Sequence, residues 1–278
     1  MTTSCRAACL LLLASCVFAC GAGRAADGLA TTPVAAADVE VLPLPAVLAE
    51  VSGLTMLADG TLLAIGDERG QVYAVDFAAG VIVPKVSFGT KSVHADFEGL
   101  TVAEGRIYAL TSNGVIYHRS LDPGDDEFTR VKTGLGKHCE FEGLAADPTT
   151  PVLWLLCKTP LDKKLKKRLT LFAWDRVANE VRVEQSLTPK LKRLGLPGKL
   201  APSGLALSAD GQTFFLVAAR QQAFVFLSRT GELKRAGRLP GSQPHPQAEG
   251  ALWVGETLFV ADEGVGGPAT ITRYKHGF

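Results

Sequence analysis

The stretch DFEGLTVAEGRIYALTS at 96–112 runs an acid-Gly-Leu signature into a Gly turn and then into an apolar run of strand length. Glycine at the turn and aliphatic residues on either side read as two antiparallel strands. The same succession recurs: EVSGL at 50–54 leads to TLLAIGD at 61–67, and EFEGL at 140–144 to VLWLLCK at 152–158. APSGL at 201–205 leads to TFFLVAAR at 213–220, and QAEGA at 247–251 to TLFVADE at 257–263. A third run follows each time: QVYAVDF, VIYHRSL, LTLFAWD, AFVFLSR and ATITRYK. A looser fourth closes most units, as in VIVPKVSF at 81–88 and ELKRAGRL at 232–239.

Self-similarity at a fixed interval marks a repeat architecture. Ser52 to Glu98 spans 46 residues, Glu98 to Glu142 spans 44 and Ser203 to Glu249 spans 46; the third interval, 61 residues, carries an insertion. Four short strands in roughly 40–50 residues are one propeller blade. The expectation is therefore an all-β, five-bladed β-propeller of four-stranded antiparallel blades. The fifth unit ends at Phe278 after three strands, and DVEVLPL at 38–44 alternates like a strand. It is expected to complete the last blade, which closes the ring and covers edges that would otherwise invite aggregation.

Residues 1–26 form a separate unit, with Arg6, the apolar run AACLLLLASCVFAC at 7–20 and then GAGRAA. This is an export signal. LASC resembles a bacterial lipobox, so Cys16 is a candidate for lipidation; Cys20 is a second, and simple cleavage near Ala25 is the alternative. Residues 27–37 read as a linker and 38–278 as the propeller domain. The expected location is periplasmic or outer-envelope, with membrane contact through the lipid anchor only. Of six cysteines, only Cys139 and Cys157 belong to the folded body. One precedes the first strand of the third unit and the other ends its second, so a disulfide is expected in an oxidising compartment.

The succession SGL, GDERGQVYAVD, FEGL and PQAEGALWVGETLFVADEG resembles the SdiA-regulated family of bacterial β-propeller proteins, which are similar in turn to NHL-repeat propellers. The resemblance covers roughly residues 40–276 and implies a five-bladed propeller with a calcium site. It implies no biochemical role. The basic third-blade insertion and Arg220 depart from the family pattern.

In a propeller the start of each first strand and the end of each second strand meet at one channel mouth. That rule gathers Ser52, Glu98, Glu142, Ser203 and Glu249 with Asp67, Thr111, Lys158, Arg220 and Asp262. Five carboxylates against two cations call for a counter-ion, for raised pKa values or for exposure to water. Oxygen-only donors favour calcium. Glu98, Glu142, Glu249, Asp67 and Asp262 are thus the expected metal ligands. Ser52, Thr111, Lys158, Ser203 and Arg220 are the remaining ligand candidates. The acidic arc Glu249–Asp262–Asp67 is expected to lack a protein counter-charge, with Lys158 and Arg220 across the ring offsetting Glu142.

Net charge is +1, so nothing points to nucleic acid. Residues 158–199 nevertheless hold twelve Lys or Arg against four Asp or Glu. A solvated turn accounts for this; the sharper reading is attraction to anionic lipid or a phosphorylated ligand. His94, His118, His138, His245 and His276 show no ligand spacing and read as surface or turn residues. No P-loop, GxGxxG or nucleophile elbow occurs. The functional expectation is a monomeric, calcium-binding envelope module for ligand binding or scaffolding. The alternative is a calcium-dependent hydrolase of phosphate esters or lactones, similar to phytase-like or lactonase-like propellers.

Overall fold

The computed structural model describes residues 38–166, 168–187, 200–240 and 245–276, with the backbone alone for 182–187. The leader 1–26, the linker 27–37, Cys16, Cys20 and the basic stretch 190–199 lie outside the described residues.

Strand β1 (Val39–Pro43) comes first, followed by four consecutive meanders. Blade I holds β2 (Val51–Met56), β3 (Leu62–Gly66), β4 (Gln71–Asp76) and β5 (Val81–Ser87). Blade II holds β6 (Phe97–Ala103), β7 (Arg106–Thr111), β8 (Val115–Ser120) and β9 (Phe128–Lys132). Blade III holds β10 (Cys139–Ala146), β11 (Val152–Pro160), β12 (Leu169–Asp175) and β13 (Glu180–Leu187). Blade IV holds β14 (Gly204–Leu207), β15 (Thr213–Ala218), β16 (Ala223–Ser228) and β17 (Leu233–Arg238). In blade V, β18 (Ala248–Val254), β19 (Thr257–Asp262) and β20 (Thr270–Tyr274) are completed by β1, with Val39 opposite Tyr274 and Pro43 opposite Thr270. The chain is a five-bladed propeller, and its N-terminal strand seals the ring.

The core lies between blades. Each of five apolar clusters joins two neighbours, as where Phe88 stacks on Phe97 between blades I and II, and Trp154 meets Phe214 edge-on between III and IV.

The repeat signature acquires its physical reason at the centre. The innermost strands β2, β6, β10, β14 and β18 each lie against the next around the ring. A methyl group on Gly53 would sit 2.8 Å from the backbone nitrogen of Leu100. On Gly99 it would sit 2.7 Å from Leu144, and on Gly143 2.8 Å from Leu205. On Gly204 it would meet the carbonyl of Glu249 at 2.6 Å, and on Gly250 Ala261 at 2.9 Å. Gly53, Gly99, Gly143 and Gly204 are therefore recesses into which the neighbouring innermost strand packs, while Gly250 is closed first by Ala261 of its own blade and then by Leu54 of β2 at 3.4 Å. The waist they form leaves about 10 Å³, about one water's worth of space. Below it, a larger bowl of about 620 Å³ is lined by Met56, Val102, Ala146, Leu207 and Trp253 together with Thr55, Thr101 and Glu104. The titratable groups gather above it.

Cys139 and Cys157 form the expected disulfide, with Cα atoms 5.7 Å apart, inside the range a disulfide requires. It ties the mouth end of β10 to that of β11.

Candidate functional site

In blades I, II and V the ladder slips one residue before the signature glycine. Val51 faces Gly66 but Gly53 faces Ile65; Phe97 faces Thr111 but Gly99 faces Leu110; Ala248 faces Asp262 but Gly250 faces Ala261. Ser52, Glu98 and Glu249 are thus the extra residues of β-bulges, and Glu142 falls in the corresponding slip of blade III. A bulge re-aims a side chain. Here Ser52, Glu98 and Glu249 line the space at the waist.

Lys158, at the end of β11, reaches into this group. Its Nζ lies 2.5 Å from Glu142 Oε1 and 3.6 Å from Glu249 Oε2. The second distance is too long for a hydrogen bond. Glu249 Oε2, on a side chain 7% exposed, has no hydrogen-bond partner, and neither does the buried Ser52 hydroxyl. Three carboxyl groups face one ammonium.

Burial raises the pKa of Glu98 strongly, and the carboxylates of Glu142, Asp96 and Glu249 raise it further. Burial likewise lifts Glu249, whose hydrogen bond to Glu142 also favours the protonated form. Lys158 moves the other way in effect: burial disfavours its charge, but the Glu142 hydrogen bond and surrounding carboxylates outweigh this and hold its pKa above the usual value. An outer acidic rim adjoins. Glu263 is pushed up to about 7 by burial and by Asp67 and Glu50, and Asp67 to about 6 by burial and by Glu50 and Asp96.

The pH dependence follows by linkage. In the unfolded chain Asp67 and Glu263 release their protons near the ordinary carboxylate values of about 4. In the fold they keep them higher, so the native state binds more protons and stability falls as pH rises through about 4 to 7. The decline continues at higher pH as Glu98 and Glu249 are forced to ionise. Urea midpoints of metal-free protein should be higher at pH 5 than at pH 8; the reverse order would remove the cluster's unfavourable electrostatics.

Several expected positions are placed differently. Asp262 Oδ2 accepts from His245 Nδ1 at 2.6 Å inside blade V, and His245 Nε2 lies 2.6 Å from the Tyr274 hydroxyl, which donates to the Pro240 carbonyl. Asp262 and His245 are both buried, so this histidine is a core residue and not a surface one. The Ser203 hydroxyl donates to the Ala248 carbonyl and accepts from Ala219 N–H, joining blades IV and V. Thr111 accepts from Val115 N–H and donates to Asn113, capping a turn. Arg220 stands exposed in the short turn Ala219–Gln221. The bare acidic arc is also corrected, because Lys158 spans the mouth to Glu249. Of the basic insertion, Lys163, Lys164 and Lys166 are exposed around the buried Leu165. Glu50, Asp96 and Glu263 were not singled out from the sequence. Their signal was adjacency, each lying next to a signature or a second-strand end.

No protein-family model matches the chain, and no curated protein is significantly similar to it. Among solved structures it is similar to a glutaminyl cyclase from Myxococcus xanthus, with TM-score 0.58 and 14% identity over 84% of this chain and 93% of that one. A luciferin-regenerating enzyme gives 0.52 and 13% over 86% and 97%. A gluconolactonase from Xanthomonas campestris gives 0.50 and 17% over 81% and 71%. Identities this low establish the shared propeller fold and leave activity to be argued from the mouth itself.

Proposed function

We propose that this chain is an exported propeller of the cell envelope, of the SdiA-regulated kind, whose glutamate mouth binds calcium and which serves as a ligand-binding or scaffold module. The observation that carries the reading is the enclosed Glu249 oxygen without a hydrogen bond, among three carboxyl groups that one lysine does not neutralise. The donor set suits a hard cation, since it consists of oxygen alone. Glu98, Glu142 and Glu249 would hold the ion with help from Ser52 and waters, and Asp67 would act from the rim. As the side chains stand, no three His, Cys, Asp or Glu among the described residues converge closely enough for one ion, and Lys158 lies between Glu142 and Glu249. The leader with Cys16 or Cys20 and the disulfide support export.

The hydrolase alternative is weaker. Lys158, the mouth cation expected to grip a phosphate beside the glutamates, is already engaged by Glu142 and Glu249.

Calcium that binds the fold and hardly the unfolded chain stabilises it by about 2.7 kcal/mol at a hundredfold excess over Kd. For a domain of this size that is roughly 5–10 °C in Tm. Magnesium should do less, because it sheds water reluctantly. Glu249→Gln should abolish most of the gain. Equal midpoints with calcium, magnesium and chelator would refute the metal reading.

A further inference from the structure

Two patches of opposite charge lie on the mouth face. Both border connections between the second and third strands of a blade, so both project on the same side of the ring. In blade III the turn from β11 to β12 forms a basic knuckle, where Lys163, Lys164, Lys166 and Arg168 stand exposed beside the exposed Leu161. Its mounting is firm. Leu165 is buried in the cluster that holds Cys139 and Phe141, and the N–H groups of Leu161 and Asp162 donate to the His138 carbonyl at 2.9 and 3.1 Å. Asp162 is turned onto His138 and Lys164 N–H, and Glu140 lies at the base, opposite Thr159.

In blade I the turn from β3 to β4 borders a hollow of about 310 Å³ whose lining includes Val47, Glu50, Asp67, Glu68 and Arg69. Three carboxyl groups there face one cation, and Glu263 of blade V adjoins them. Val47 is exposed, and so is Val265, next to Gly264, whose N–H donates to the Ala49 carbonyl. The innermost strands run β2, β6, β10, β14, β18 and back to β2, so blade III lies opposite the junction of blades I and V. Knuckle and hollow thus occupy opposite edges of one face, with the mouth between them.

A face so arranged is complementary to itself. A half-turn about an axis lying in the face, perpendicular to the line joining the patches, sets the knuckle of each copy over the hollow of the other and closes the pair at two equivalent contacts. An anionic surface would attract the knuckle and repel the hollow, whereas a partner with both signs in this layout is attracted at both edges.

We propose that this face is a dimer interface: two copies meet mouth to mouth, the knuckle of each seated on the hollow of the other, in place of the monomer expected from the sequence. The arrangement brings Leu161 toward Val47 and Val265 within the surrounding charge. Because its charges are exposed, the contact makes a weak, salt-dependent dimer and not an obligate one. Both mouths are covered in the pair and open in the monomer. The proposal needs no metal and stands apart from the calcium reading.

Sedimentation of the full-length protein in chelator should show a dimer whose Kd rises at least about tenfold between roughly 0.02 and 0.5 M sodium chloride, as the Debye length contracts from about 20 Å to about 4 Å. Charge reversal is the sharper arm. Lys163→Glu with Lys164→Glu and Lys166→Glu makes the knuckle acidic, while Glu50→Lys with Glu68→Lys makes the hollow basic. Each variant alone should dimerise at least about tenfold more weakly than wild type, and the two mixed in equal amounts should pair with roughly wild-type affinity, because every knuckle then meets a hollow of opposite sign. All five side chains are exposed, so both variants should melt near wild type, and the wild-type salt series stands without them. A wild type that stays monomeric at low salt, a dimer indifferent to salt, or variants that fail to rescue each other would overturn the proposal. So would monomeric wild type that binds phosphatidylglycerol vesicles and loses them in the acidic-knuckle variant, which would assign the knuckle to a membrane.

Discussion

Replacing Gly99 by alanine is expected to cost about 3 kcal/mol of stability, at the upper end for overpacked sites, and to lower Tm by roughly 6–12 °C. The added methyl would lie 2.7 Å from both the Cβ and the backbone nitrogen of Leu144. Neither can yield easily. Leu144 is buried between blades II and III, and its strand is tied to β11 by the disulfide. Relief must come from separating β6 from β10, which also moves Glu98 beside it. Gly267→Ala is the control, since nothing lies within 4 Å of its added methyl. It should change stability by less than about 0.5 kcal/mol. If the two variants melt together, the waist is not the tight packing described above.

The second large effect is expected at Asp147, just after β10. Its carboxylate is fully enclosed and accepts from Thr149 N–H at 2.9 Å, the Thr149 hydroxyl at 2.8 Å, Thr150 N–H at 3.1 Å and Trp154 Nε1 at 3.2 Å. Arg229, from the turn after β16, reaches it at 2.5 Å, lies over the Trp154 ring and donates to the Gly211 carbonyl. One carboxylate therefore joins a turn of blade III, a core tryptophan and blade IV. Asp147→Ala should cost about 3–5 kcal/mol in urea denaturation, because it strands a partly buried guanidinium and a buried indole N–H. Asp147→Asn retains an acceptor for the turn and should lose roughly half as much. A loss below about 1 kcal/mol for the alanine variant would show that water replaces the hub freely. Although burial opposes ionisation, these hydrogen bonds hold the Asp147 pKa down to about 2. Its contribution is thus complete above the unfolded value near 4 and is lost only as pH falls through about 2. That acid window lies outside the one governed by Asp67 and Glu263.

Blade count, closure by residues 38–44 and the Cys139–Cys157 bridge were legible because each depends on the spacing of residues along the chain. The mouth was legible only in part. Strand alternation places Asp262 beside Glu249, but the bulge at Glu249 separates the two, and Asp262 finds His245, a partner from the segment leading into β18. Neither the slip nor that pairing has a local sequence signal. The same holds for Ser203, where the signature residue is a bridge between blades and not a donor to the mouth. Lys158 meets Glu142 as expected, but its further approach to Glu249 was not legible: spacing fixes where a side chain starts, while a lysine stem decides where its charge ends.

Closure by β1 also sets an order in time. Val39, among the first residues of the domain to be made, has Tyr274 as its partner, almost the last. Blades I to IV are each continuous in sequence and can form from local contacts, but blade V cannot be finished until the far end of the chain arrives. Contacts so distant in sequence must bear their loop-closure entropy before they return any stabilisation, so sealing of the ring is expected to be the slow event. Until it happens, the edge of β20 is bare and Leu42 and Leu44, buried in the finished ring, lack the blade V half of the cluster they share with blade I. A propeller joined end to end in this way is most exposed to aggregation in the interval between making its last strand and capturing its first.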